Sequence, residues 1–191
     1  MRNKKGVKKV NLLSESLNEE TEDKVIQLCH DMVTLCDNKP YAELMVILSW
    51  VNAVAKIHQV HHWISNADPF YGDHLMFDRL QSETYAYNDK VAEKMLGLGD
   101  DSLITPKRLA SFVNMVTDLS CTSHDGIIMP DQNSLVMQSK MCVEQLLLCI
   151  QALKLSMLNS AILTDGLDNF LSQLLDDIEN HMYLLKQRLK L

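Results

Sequence analysis

Glycine and proline are scarce in this chain, 6 and 4 in 191 residues. Turn-rich sheet architectures use many of both, and no stretch shows strand-like alternation of β-branched residues, so an all-β fold is excluded. Aromatics make up only 6%. The five cysteines (Cys29, Cys36, Cys121, Cys142 and Cys149) form no Cys-x-x-Cys, and their number is odd. A disulfide framework is therefore not expected, and the thiols read as buried groups in a reducing compartment. The N-terminus has no apolar signal segment. The strongly apolar stretch 44–55 is far shorter than the roughly 20 residues of a membrane span. A soluble cytoplasmic protein with no membrane partner is expected.

Hydrophobic residues make up 47% of the chain, enough to bury a sizeable core in one domain. Leu, Met, Glu, Lys and Gln are common, and these straight-chain residues lose little rotamer freedom in helices. The class expected is all-α. Net charge is −7, unevenly spread. Arg2, Lys4, Lys5, Lys8 and Lys9 crowd residues 1–9, which hold no acid. Removing those five from the 18 basic residues leaves 13 against 25 acids, so the rest of the chain is near −12. A basic arm of this kind suits a phosphate backbone through counterion release, whereas the acidic body repels one.

Residues 1–15 read as a flexible basic tail. Ser16-Leu17-Asn18-Glu19 has the S-x-x-E form of a capping box, so an additional helix is expected over 16–37, with Val25, Leu28, Met32 and Leu35 on one face. The remainder, 38–191, reads as one bundle. Its long helices are expected near 41–64, 70–96, 134–158 and 165–189, with a short helix over 106–119 capped by Thr105 and a loop over 120–131. Four long helices with one longer middle connection make an antiparallel bundle.

Four residues of the second long helix, His74, Asp78, Asp89 and Glu93, fall on one polar stripe within roughly 100° of rotation. Asp78 and Asp89 are roughly 16 Å apart along the axis, whereas a close metal pair spans about 4 Å. The stripe therefore holds two half-sites, His74/Asp78 and Asp89/Glu93, each with i, i+4 spacing. Two copies of the helix crossing antiparallel near residue 83 or 84 would complete both, giving two sites per isologous dimer. His62, near the end of the preceding helix, joins from beside His74. Two imidazoles and three carboxylates suit iron better than Mg²⁺ or structural Zn²⁺. Taken singly, each of these residues reads more simply as part of a solvated helix face.

The stretch 62–93 resembles the signature of the Dps family, the miniferritins of starved or stressed bacteria. His62-Trp63, then His74, Asp78, Asp89 and Glu93 follow that family's order and spacing, with Phe70 four residues before His74. Asp89-Lys90-Val91-Ala92-Glu93-Lys94 is similar to the family's D-x-x-A-E-R, with Lys94 for Arg. The 106–119 helix and the segment from Asp165 through Tyr183 extend the resemblance over about 41–189. It implies a ferritin-like four-helix bundle and a shell of twelve identical subunits. It also implies ferroxidase sites shared across a two-fold, where His62, His74 and Asp78 face Asp89 and Glu93 of the mate. Ferrous iron would be oxidised there, preferentially by hydrogen peroxide, with ferric oxide stored inside and DNA protected from oxidative damage. Asp165 and Asp168 stand where the family places acids near a three-fold pore. The helix over 16–37 is a departure from the pattern, and His58 and His61 are expected to be structural.

Ferritins with a di-iron site inside each bundle use Glu-x-x-His, which is absent from this sequence. The alternative functions are a DNA-binding or structural shell with little ferroxidase activity, the DNA held non-specifically by Arg2, Lys4, Lys5, Lys8 and Lys9, and a non-enzymatic helical interaction protein.

Overall fold

The computed structural model describes residues 17–66, 70–99, 101–121 and 132–190. All regular structure among them is helical: α1 (Glu19–Thr34), α2 (Ala42–Ile64), α3 (Phe70–Tyr85), α4 (Tyr87–Leu98), α5 (Pro106–Cys121), α6 (Gln132–Asn159) and α7 (Asp165–Arg188), with a 3₁₀ turn at Asp101–Leu103. The fold is an all-α, ferritin-like antiparallel four-helix bundle. Its members are α2, the α3/α4 pair, α6 and α7, with α5 between the second and third and α1 added in front. The basic residues Arg2, Lys4, Lys5, Lys8 and Lys9 lie outside the described residues, as do Ser16 and most of the expected 120–131 loop.

Amphipathic packing explains the arrangement. α2 carries apolar residues around its whole circumference, from Ala42 to Ile57, and such a helix must be covered on every side. It packs against α1, α3, α4, α5 and α6. α6 also passes the length and composition test for a membrane span, which the reading of 44–55 did not anticipate. Here it lies among α1, α2, α5 and α7, with Leu146, Leu148 and Ile150 fully enclosed in the bundle core. α1 closes the outer side of α2 and α6 with Val25, Cys29 and Met32. Each such apolar burial contributes roughly 1.5–3 kcal/mol.

The start of α1 differs from the capping-box reading. Asn18 is the N-cap, and its Oδ1 accepts from the Thr21 amide at 2.8 Å. Glu19, Glu20 and Glu22 then occupy the first turn, where negative charge suits the helix dipole. The buried face also turns away from Leu35, which is 57% exposed, toward Cys29 and Cys36. Four of the five cysteines are buried, and all five are free. The thiols of Cys29 and Cys149 meet between α1 and α6, and burial raises Cys149 well above the usual thiol range. Thr105 caps α5 through the Arg108 amide, and Thr164 caps α7 through the Leu167 amide.

The largest difference concerns 70–96, expected as one helix. It breaks at Ala86, which keeps helical torsions (φ −60°, ψ −16°) between α3 and α4. No Pro or Gly marks the place. Just before it, the Ser82 hydroxyl bonds back to the carbonyls of Asp78 and Arg79, a pattern that bends helices. Just after it, the Tyr87 hydroxyl donates to Asp177 on α7.

Candidate metal centre

The end of α2 and the start of α3 bring His62 and His74 together. Their rings stack with centroids 3.8 Å apart and planes 23° from parallel. His62 Nδ1 lies 3.0 Å from the His74 carbonyl oxygen, and His74 Nδ1 lies 3.0 Å from the His62 carbonyl oxygen. A carbonyl can only accept, so each Nδ1 carries the proton and donates it. In the neutral rings both Nε2 atoms then keep a free lone pair. This is the tautomer of metal-binding histidines, whose other nitrogen typically donates to a carbonyl or carboxylate. Phe70 lies against His74 with centroids 5.1 Å apart.

Asp78 lies one turn beyond His74 and is exposed, as are Asp89 and Glu93 on α4. None of the three is brought to the imidazoles within the chain. Among the described residues, no three His, Cys, Asp or Glu side chains gather closely enough to hold a metal ion. Large apolar side chains are exposed around these groups. Trp63 (66% exposed), Tyr71 (73%), Leu75, Tyr85 and Leu96 interleave with the polar stripe. Lys94 places its Nζ 5.7 Å over the Phe170 ring.

The neighbouring histidines belong to the bundle core. His61 is fixed by Ser139 Oγ at 2.7 Å from Nδ1 and by Gln138 Oε1 at 2.9 Å from Nε2. The amide oxygen accepts from Nε2–H, so Nδ1 accepts from the serine. Burial pushes His61 down to about 4, partly offset by Gln138. His58 is wholly enclosed, and neither ring nitrogen makes a hydrogen bond of good geometry. Burial, then the nearby His61 and His181, hold it well below the usual imidazole range. His181 donates from Nε2 to Glu83 Oε2 at 2.8 Å and is lowered by burial despite that carboxylate. Burial pushes Glu83 upward, but its bonds to His181 and Arg79 outweigh this and hold it low.

At the other end of the bundle, Asp165 opens α7, and Asp168 pairs with Lys154 on α6 at 2.7 Å. Sequence reasoning missed the polar seam between α3/α4 and α7: Asp73–Arg188, Glu83–His181 and Tyr87–Asp177. These partners are 90 to 115 residues apart. Only Asp73, an acid on the core-facing side of its helix, carried a local signal that a buried partner was needed.

No family model matches the chain, and no curated protein matches it in sequence. Among solved structures, a mutant of Dps1 from Mycobacterium smegmatis is similar, with a TM-score of 0.59 and 16% identity. The match covers 91% of this chain and 99% of that one. At this identity the likeness speaks for the architecture: the chain has the Dps-like form of the ferritin bundle.

Proposed function

We propose that this protein is a Dps-like ferroxidase and iron-storage subunit, whose metal sites are completed by a second copy across a two-fold axis. The observation that carries the reading is the His62/His74 pair, with both Nδ1 protons committed to carbonyls and both Nε2 lone pairs free. The remaining ligands, Asp78, Asp89 and Glu93, lie exposed along the same side of α3/α4, among apolar side chains that a partner helix would cover. An antiparallel crossing near residue 83 or 84 brings Asp89 and Glu93 of one copy toward His62, His74 and Asp78 of the other. The imidazoles supply neutral donors to ferrous iron, and the carboxylates offset the charge as it becomes ferric. Two ferrous ions give two electrons to one hydrogen peroxide, which takes up two protons and leaves as two waters. In this reading the assembly is a cytoplasmic homo-oligomeric shell of twelve, and iron is both substrate and cargo. A basic arm at residues 1–9 would hold DNA through its phosphates.

The test is anaerobic addition of Fe²⁺ followed by peroxide, with ferric absorbance recorded for wild type and Asp78→Ala. Fast oxidation by the wild type, reduced to the protein-free rate in the variant with folding and assembly retained, is expected. A wild type no faster than buffer would leave a ferritin-like shell without this chemistry.

A further inference from the structure

Asp73 in the first turn of α3 and Arg188, the last residue of α7, form a closed fork across the bundle end. Arg188 Nε donates to Asp73 Oδ1 at 2.6 Å and Nη2 donates to Oδ2 at 3.0 Å, while Nη1 reaches Asn133 Oδ1 on α6 at 3.3 Å. The carboxylate is 1% exposed and the guanidinium side chain 13%. A charge so enclosed persists only when paired, and bidentate geometry is what makes such a pair stiff.

The residue after Asp73 is His74. Its Nδ1–H is bonded to the His62 carbonyl at the end of α2, and its own carbonyl accepts from His62. Successive residues on a helix point about 100° apart, so the two anchors pull the first turn of α3 in different directions. One ties it to α7 and α6, the other to α2. Together they block both rotation of α3 about its axis and sliding along it. Without the fork, this first turn keeps the imidazole contacts, while Phe77 and Leu80 hold the helix only from one turn further on.

We infer that Asp73 and Arg188 are positioning residues for the His62/His74 donor pair, their ion pair fixing the rotation of α3 that keeps the two rings stacked and both Nδ1 atoms on their carbonyls. This rests on the metal-site reading proposed above. Neither residue touches the metal. Groups that orient metal ligands from behind typically change affinity 10- to 100-fold when removed.

Co²⁺ serves as the probe, because its visible absorption reports the ligand set. The full-length chain is titrated as wild type, Arg188→Gln, Arg188→Lys, His62→Ala and Met32→Ala, with assembly followed by sedimentation. Met32 lies in the α1 interface, away from α3, and its variant serves as a control for lost stability. Arg188→Gln is expected to weaken Co²⁺ binding 10- to 100-fold and to alter the spectrum, with partial rescue in Arg188→Lys. Met32→Ala should retain wild-type affinity and spectrum. If Arg188→Gln does not fold, the double variant Asp73→Asn with Arg188→Gln removes both charges while leaving groups able to hydrogen-bond, and the same loss is expected. Wild-type affinity in the Arg188 variants, or an equal loss in Met32→Ala, would overturn the inference while leaving the site intact. A wild type that gives no Co²⁺ spectrum, or one unchanged in His62→Ala, would instead overturn the metal-site reading and the clamp with it.

Discussion

His58, His61 and His181 show how burial can write a pH dependence into a bundle. All three are held below the ordinary imidazole value with desolvation as the leading cause, His61 down to about 4. The unfolded chain binds protons at these positions near pH 6.5, whereas the folded chain does not. Stability is therefore full above about pH 6.5 and falls as the pH drops toward the folded values; for His61 alone the loss by pH 4 is on the order of 3 kcal/mol. Glu83 accepts from His181 and, with Asp177, offsets part of the burial effect there, while the Arg79 charge beyond Glu83 pulls the other way. His58 has no carboxylate beside it; a contact with the Leu80 backbone opposes the shift, less than burial, His61 and His181 drive it. His58→Leu removes two buried nitrogens that lack a hydrogen bond of good geometry, and a latent charge. We expect a gain of about 1–3 kcal/mol at pH 7.5 and a shallower loss between pH 7 and 5, measured by urea unfolding. A variant as acid-sensitive as wild type would show that His58 does not contribute to the slope. The sequence made these residues visible as extra imidazoles near the motif. It did not reveal that His181 of α7 joins them, because His58 and His181 are 123 positions apart and neither has a local partner.

At the scale of elements, the helices were legible because each carries an apolar face at helical spacing. Their ends were less so, because caps depend on single side chains: at α1 the cap is Asn18, which accepts the Thr21 amide. The break at Ala86 left no Gly or Pro in the sequence; it coincides with Ser82 bonding back along the helix and Tyr87 reaching across to Asp177. The break lies two to three residues from the crossing point inferred for paired copies, so α3 and α4 can present their half-sites at slightly different angles. α1 was legible as a helix, but its role became clear only in three dimensions. α2 and α6 are too apolar for the exposed flanks of a bare bundle, and α1 covers them. Met32 is fully enclosed at that interface. Met32→Ala should cost about 2–5 kcal/mol, through lost transfer and a residual cavity, as measured by denaturant midpoints at pH 7.5. A cost below about 0.5 kcal/mol would mean that α1 is only loosely seated and does not stabilise the bundle.

At the scale of the whole molecule, the arrangement of half-sites is itself a prediction about assembly. Within one chain, Asp78 and Asp89 are roughly 16 Å apart along the helix pair, too far to share a metal ion or close metal pair. If copies pair antiparallel, each site takes Asp78 from one subunit and Glu93 from the other. Asp78→Ala and Glu93→Ala should then each be inactive as pure assemblies. Now let the two variants be dissociated, mixed in equal amounts and reassembled. Half of the two-fold pairs are hybrids, and in each hybrid both lesions fall in one site while the second site is made of intact residues only. About a quarter of all sites should therefore be wild type, and ferroxidase activity should return to about that fraction of the wild-type rate. Mixing without dissociation should restore nothing. Were each site instead built within a single chain, every site in the mixture would still carry one lesion, and reassembly would leave the rate at the background of the two variants.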